Sequence, residues 1–226
     1  MTVRTGRSFA AWALILFAIA GAGPLPAQGA ENETAEPSLS PDDVANVIRV
    51  ERYLNTLDTI QARFVQISSD GNYAEGEVQV SRPDNLRFDY DPPATALLIA
   101  TGSTLLFYDK ELKQASFIPL WETPLWFLAG EQVKFEDDLE ILGVEEGLGT
   151  ISIKLRQSDS PETGTLTLIF SDKPLALRKW EVLDQQGVLT QVSLINPEFG
   201  GNIDAELFEY DDLEINRGQR PESDRR

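Results

Sequence analysis

The chain contains no cysteine and no histidine. Without cysteine there is no disulfide framework, no thiol nucleophile and no residue to carry a lipid anchor at a signal-cleavage site. Folding must then rest on an apolar core, which about 200 residues can supply. Without histidine there is no imidazole base, no zinc ligand of the usual kind and no switch near neutral pH. Ser-His-Asp and Cys-His triads are impossible. An enzyme would need paired carboxylates in a cleft, as glycosidases use. Asp and Glu total 37, but no pair stands out and surface solvation explains them. No enzyme, catalytic residue, cofactor or metal is expected.

Basic residues are scarce, 19 Lys and Arg against those 37 acids, for a formal charge of −18. Long apolar runs are scarce too, the main one lying at the start. Arg4 and Arg7 precede an apolar stretch from Phe9 to Gly23, and small residues lead to a cleavage point between Ala27 and Ala30. The stretch falls short of the roughly 20 residues that span a bilayer, which predicts a cleaved signal peptide over 1–27 and export. Loss of Arg4 and Arg7 takes the charge from −18 to −20, because residues 1–27 hold no acid. Such a balance opposes binding to nucleic acid and to anionic bilayers.

Residues 28–39 (QGAENETAEPSL) are polar and acidic and predict a disordered spacer. A polar tail is expected over 216–226, leaving one domain over 40–215. Ser40-Pro41-Asp42-Asp43 signals a helix start, and Val44, Val47, Ile48, Leu54 and Leu57 recur at helical spacing through Asp58. From Thr59 the period becomes two: Ile60, Ala62 and Phe64 alternate with Gln61, Arg63 and Val65, and Val78 and Val80 share a face within Glu77–Ser81. Arg82 to Gln114 reads as a meander with a greasy inner face. Further strands are expected over 139–144, 150–157, 165–171, 175–183 and 188–195. About ten strands in one antiparallel sheet cannot stay flat.

One segment breaks the β pattern. Phe117 to Gly130 is Pro-punctuated and holds Leu120, Trp121, Leu125, Trp126, Phe127 and Leu128. Thr123 as cap, Pro124 at the first position and Gly130 at the end predict a helix of about two turns, apolar nearly all round. On its own it fits either a plug in a closed core or a lid over a cavity.

The order Arg82-Pro83, Phe88-Asp89-Tyr90, Pro92-Pro93, Gly102 and Phe107-Tyr108-Asp109 resembles the LolA family of periplasmic lipoprotein carriers, from about Val44 to Glu209. The resemblance implies a mainly β (α+β) fold: a single curled antiparallel sheet forming an incomplete β-barrel, closed by an N-terminal helix and a short helical lid. It implies a monomeric carrier that shields the acyl chains of lipoproteins and moves them from an inner-membrane ABC release complex to an outer-membrane acceptor lipoprotein. The absence of Cys argues against the chain being that acceptor. A LolA-like module for another lipid, or a lipoprotein sensor, is the alternative. By position Arg82 matches the family arginine that hydrogen-bonds the lid backbone; on the residues alone a strand-end salt bridge serves equally. The candidate lining is Phe64, Leu86, Phe88, Tyr90, Leu97, Ile99, Leu106, Tyr108, Phe117, Leu166, Leu168 and Phe170. Whether Leu106 and Tyr108 or Leu105 and Phe107 face inward is a parity the alternation leaves open. Asp211-Asp212-Leu213 stands where the family commonly has Pro-x-Gly.

Overall fold

Ser40 starts the first helix, α1 (Pro41–Leu54), through a capping box: the Asp43 N–H donates to its Oγ at 3.1 Å and its own N–H donates to the Asp43 carboxylate at 2.9 Å. These bonds hold the Asp43 carboxyl below the usual carboxylate range. The structure, a computed structural model, describes residues 39–135, 139–158, 164–210 and 213. The expected signal peptide, the spacer up to residue 38 and the 216–226 tail lie outside these residues.

The buried stripe of α1 is Asn46, Val47, Val50 and Leu54. Val44 and Ile48, read above as part of the apolar face, are 43% and 49% exposed. At about 100° per residue they lie some 90–130° off the axis set by Val47, Val50 and Leu54, and a helix packed on one side buries only one stripe. The helix also stops at Leu54 rather than near Asp58, with Asn55 as its C-cap.

Eleven strands follow: β1 (Thr59–Ser68), β2 (Tyr73–Ser81), β3 (Asn85–Tyr90), β4 (Ala96–Thr101), β5 (Thr104–Asp109), β6 (Gln114–Pro119), β7 (Leu139–Gly147), β8 (Thr150–Gln157), β9 (Thr165–Ser171), β10 (Ala176–Leu183) and β11 (Leu189–Phe199). All lie in one antiparallel sheet ordered β6-β5-β4-β3-β2-β1-β11-β10-β9-β8-β7. β6 is the strand the sequence concealed: Phe117, Ile118 and Pro119, read as outside the β pattern, pair with Leu106, Leu105 and Thr104. Proline is tolerated there because β6 is an edge.

The sheet curls sharply. β3 and β10 are four strand spacings apart, about 19 Å across a flat sheet. Yet the rings of Phe88 on β3 and Trp180 on β10 are 6.2 Å apart, edge to face. The edges β6 and β7 do not pair, so the barrel is incomplete.

α1 is docked by polar contacts along the sheet. Arg49 donates to Asp172 Oδ1 at 2.6 Å and to the Asp172 carbonyl at 2.5 Å, Asn46 donates to Glu146, and the Leu177 N–H donates to the Tyr53 hydroxyl at 3.2 Å. Arg49, then Lys173, hold the Asp172 carboxyl below its ordinary value. A depressed folded pKa contributes stability that is complete above the unfolded carboxylate value, about 3.9, and is lost as pH falls through the lower folded value. The difference in thermal midpoint between the wild-type chain and Asp172→Asn should therefore be constant above about pH 5 and shrink toward pH 2.

Candidate functional site

The inner face of the sheet and the underside of α1 enclose a single apolar core. It takes Phe64 from β1, Val78 and Val80 from β2, Leu86 and Phe88 from β3, Leu166, Leu168 and Phe170 from β9, and Trp180 from β10. Tyr90 packs against it partly buried. Its hydroxyl donates to Gln66 Oε1 at 2.8 Å, and burial pushes its pKa up.

Five of the candidate lining residues lie elsewhere. Leu97, Ile99, Leu106 and Tyr108 form a second cluster with Ala115, and Phe117 packs against it. Register explains this. Leu86 and Phe88 point inward, and they pair with Ala100 and Leu98, which pair in turn with Leu105 and Phe107. Leu97 and Ile99 stand opposite Asp89 and Arg87, on the outer face. β4 and β5 are apolar on both faces, so their pattern carried no parity. The outer cluster is covered by the chain's C-terminal part: Phe117 meets Tyr210 with ring centroids 6.1 Å apart, and Leu213 packs beside them. That part is pinned by Thr101 Oγ1 donating to the Phe208 carbonyl at 2.9 Å and Arg87 to the Leu207 carbonyl at 3.0 Å.

The segment after β6 closes the interior. It is shorter in helix than expected: a 3₁₀ turn (Leu120–Glu122), then α2 (Trp126–Ala129). Thr123 caps the end of the 3₁₀ turn instead of starting a two-turn helix; its hydroxyl donates to the Leu120 carbonyl at 2.7 Å. Gly130 is the C-cap of α2, as expected. Leu120, Phe127 and Leu128 are buried, Leu125 and Trp126 pack partly against the core, and Trp121 is 57% exposed. Phe127 lies on Trp180, centroids 5.7 Å apart at 74°. The sequence reading passed over Trp180, the largest fully buried side chain; its place on the inner face of β10, between Lys179 and Glu181, was the available signal.

The β2–β3 turn holds this segment by its backbone. Arg82 donates from Nε to the Leu128 carbonyl at 2.8 Å, from Nη2 to Phe127 at 2.6 Å and from Nη1 to Leu54 at 2.5 Å. Asp84, in the left-handed region at φ 72°, donates its N–H to the Ala129 carbonyl at 2.7 Å. The Gly130 N–H reaches Trp126 at 2.8 Å, so every α2 carbonyl has a donor. Terminal helix carbonyls lack intrahelical partners and carry the negative end of the dipole, so a permanent cation with forked donors suits them. Burial lowers the Arg82 pKa and Asp58 opposes this; an arginine stays charged regardless. The chemistry of the site is packing and hydrogen bonding. Among the described residues no cluster of acidic side chains could hold a metal ion.

The family model described as outer membrane lipoprotein carrier protein LolA matches residues 55–211. The chain belongs to the LolA family. An outer-membrane lipoprotein carrier protein of Azotobacter vinelandii is 28% identical over 178 residues, covering 74% of this chain and 84% of that one. The protein of that name in Methylococcus capsulatus is 28% identical over 173 residues, 72% and 81% of the two chains. Among solved structures, a DUF1329 family protein of Desulfovibrio piger shares the fold, with a TM-score of 0.50 at 9% identity over 75% of this chain and 97% of that one. LolA membership and the open curled sheet agree with the expectation from the sequence.

Proposed function

We propose that this LolA-family chain is a periplasmic carrier that shields the acyl chains of lipoproteins and moves them from the inner to the outer membrane. The observation that carries the reading is the interior: a sheet face lined by aromatic and aliphatic groups, closed by a short segment that packs Phe127 and Leu128 inward and is held to Arg82 through its backbone carbonyls. Acyl chains leaving a bilayer expose about 0.8 kcal/mol of apolar surface per CH₂, tens of kcal/mol for three chains. Only a matched apolar lining offsets that. Relatives named for lipoprotein carriage support the same reading. The donor is an inner-membrane ABC release complex and the acceptor an outer-membrane lipoprotein. The carrier works as a monomer without catalysis, and the acidic surface keeps it off anionic bilayers.

Phe127 and Leu128 are buried against the interior; on this reading acyl chains need that space, so cargo and the closed cover compete. A ligand shifts an equilibrium only by its preference for one state. Arg82 belongs to the closed state, and its charge-assisted bonds contribute on the order of 1.5–3 kcal/mol each. Arg82→Leu should therefore bind cargo more tightly and release it about tenfold or more slowly. Native mass spectrometry of the mature chain with a secreted tagged lipoprotein, followed by timed transfer to acceptor, checks this. An unchanged release rate would remove Arg82 from the latch. A bound phospholipid without lipoprotein would redirect the function to lipid transport.

A further inference from the structure

Beyond α2, residues 131–135 form neither helix nor strand, with Val133 and Phe135 buried and Gln132 and Lys134 exposed. Main-chain groups of this strip are hydrogen-bonded by side chains of α1 and its C-cap. The Asn55 side chain donates from Nδ2 to the Val133 carbonyl at 2.8 Å and accepts from the Val133 N–H at its Oδ1 at 2.8 Å. One turn earlier on the helix, Glu51 Oε2 accepts from the Phe135 N–H at 3.0 Å. A carboxamide has the same donor and acceptor as a peptide group, so Asn55 pairs with Val133 as a neighbouring strand would. Only one orientation of the amide serves, because the flipped one sets donor against donor and acceptor against acceptor.

Two fastenings of different kind result. Arg82 joins the sheet to the cover, reaching carbonyls of both α1 and α2. Asn55, with Glu51, joins the two parts of the cover to each other. We propose that Asn55 is a positioning residue for carriage: it makes α1 and residues 126–135 move as one body, so that the interior opens between that body and the sheet. The inference rests on the carrier reading for the purpose of the motion, but the pairing itself can be tested without cargo. A one-piece cover uncovers the whole lining in a single step. A cover split at Asn55 would let the strip swing out alone while α1 still lay across the sheet.

The absence of cysteine allows paired spin labels without background. Labels at Arg52→Cys and Glu131→Cys report within the cover, and labels at Arg52→Cys and Glu77→Cys report from cover to sheet; all three positions are exposed. With a triacyl-cysteinyl peptide added, the 52–131 distance should stay as a single unshifted population while 52–77 lengthens. In Asn55→Ala a second, longer 52–131 population should appear. Asn55→Asp, which keeps the bond from the Val133 N–H but sets a carboxylate oxygen against the Val133 carbonyl, should show it as well. A purely structural role would lower the melting temperature without this split. Arg82→Leu supplies the cargo-free arm: it weakens the hold of the sheet on the cover, which keeps the Asp84–Ala129 bond and the α1 contacts to Asp172, Glu146 and Leu177. It leaves Asn55 and Glu51 as the internal link, so the same contrast is read without ligand. Lengthening of 52–131 with Asn55 intact, identical distributions with and without Asn55, or a cover that leaves the sheet in neither arm overturns the proposal. A peptide that does not bind, beside the expected contrast in the Arg82→Leu arm, overturns the carrier reading and leaves the coupling standing.

Discussion

Trp180→Ala should lower folding stability by about 3–5 kcal/mol, the range for deleting a fully buried Trp. Its indole is 1% exposed and meets two rings edge to face, Phe88 at 88° and Phe127 at 74°. Each such pair adds about 0.5–1.5 kcal/mol beyond area burial. One pair crosses the curl of the sheet and the other reaches the cover, so the deletion loosens both. Trp180→Phe keeps an aromatic face against both neighbours and should lose less than half as much. Urea unfolding of the two variants separates these outcomes. A loss under about 1 kcal/mol for Trp180→Ala would show that neighbours collapse into the space, contrary to a close-packed interior.

Much of this architecture was legible because local and global signals agreed. Ser40-Pro41-Asp42-Asp43 is a complete helix start, and the structure forms each of its bonds. Strands β8 and β9 fall at their expected bounds, since their apolar residues alternate between unambiguous turns. Where signals were silent, the reading slipped. β2 begins at Tyr73 rather than near Glu77, because Ala74-Glu75-Gly76 carries little strand propensity of its own. The side of β4 and β5 that faces inward was undecidable, both faces being apolar. What decides it is tertiary: the C-terminal part covering Leu97, Ile99, Leu106 and Tyr108, more than a hundred residues away in sequence from the first of them. Arg82 was singled out through Arg-Pro and the family pattern, and its side chain bonds the Leu128 and Phe127 carbonyls. Asn55 and Glu51 were invisible, since their partners are backbone groups of a strip with no recognisable motif.

Gly76 sits where a side chain has no room, and its substitution should rank with Trp180→Ala in effect. It faces Phe64 on one neighbouring strand and Tyr90 on the other. Those two rings meet across it, centroids 5.0 Å apart at 77°. A Cβ on Gly76 would stand 2.1 Å from the Asp89 carbonyl oxygen and 2.9 Å from Phe64 Cε1. The ring can turn aside, but the carbonyl is main chain of β3, so β2 and β3 must separate. Overpacking of this kind costs about 1–3 kcal/mol where side chains absorb it and more where backbone must move. The roughly 0.5–1 kcal/mol that Ala gains over Gly within a strand does not offset it. Gly76→Ala should therefore destabilise by about 3 kcal/mol, and Gly76→Val should not fold at 37 °C. The double change Gly76→Ala with Phe64→Leu tells the two clashes apart. If the ring were the obstacle, the smaller side chain would restore stability. Because the obstacle is the Asp89 carbonyl, the pair should be less stable than either single variant, losing the aromatic contact as well as the strand spacing.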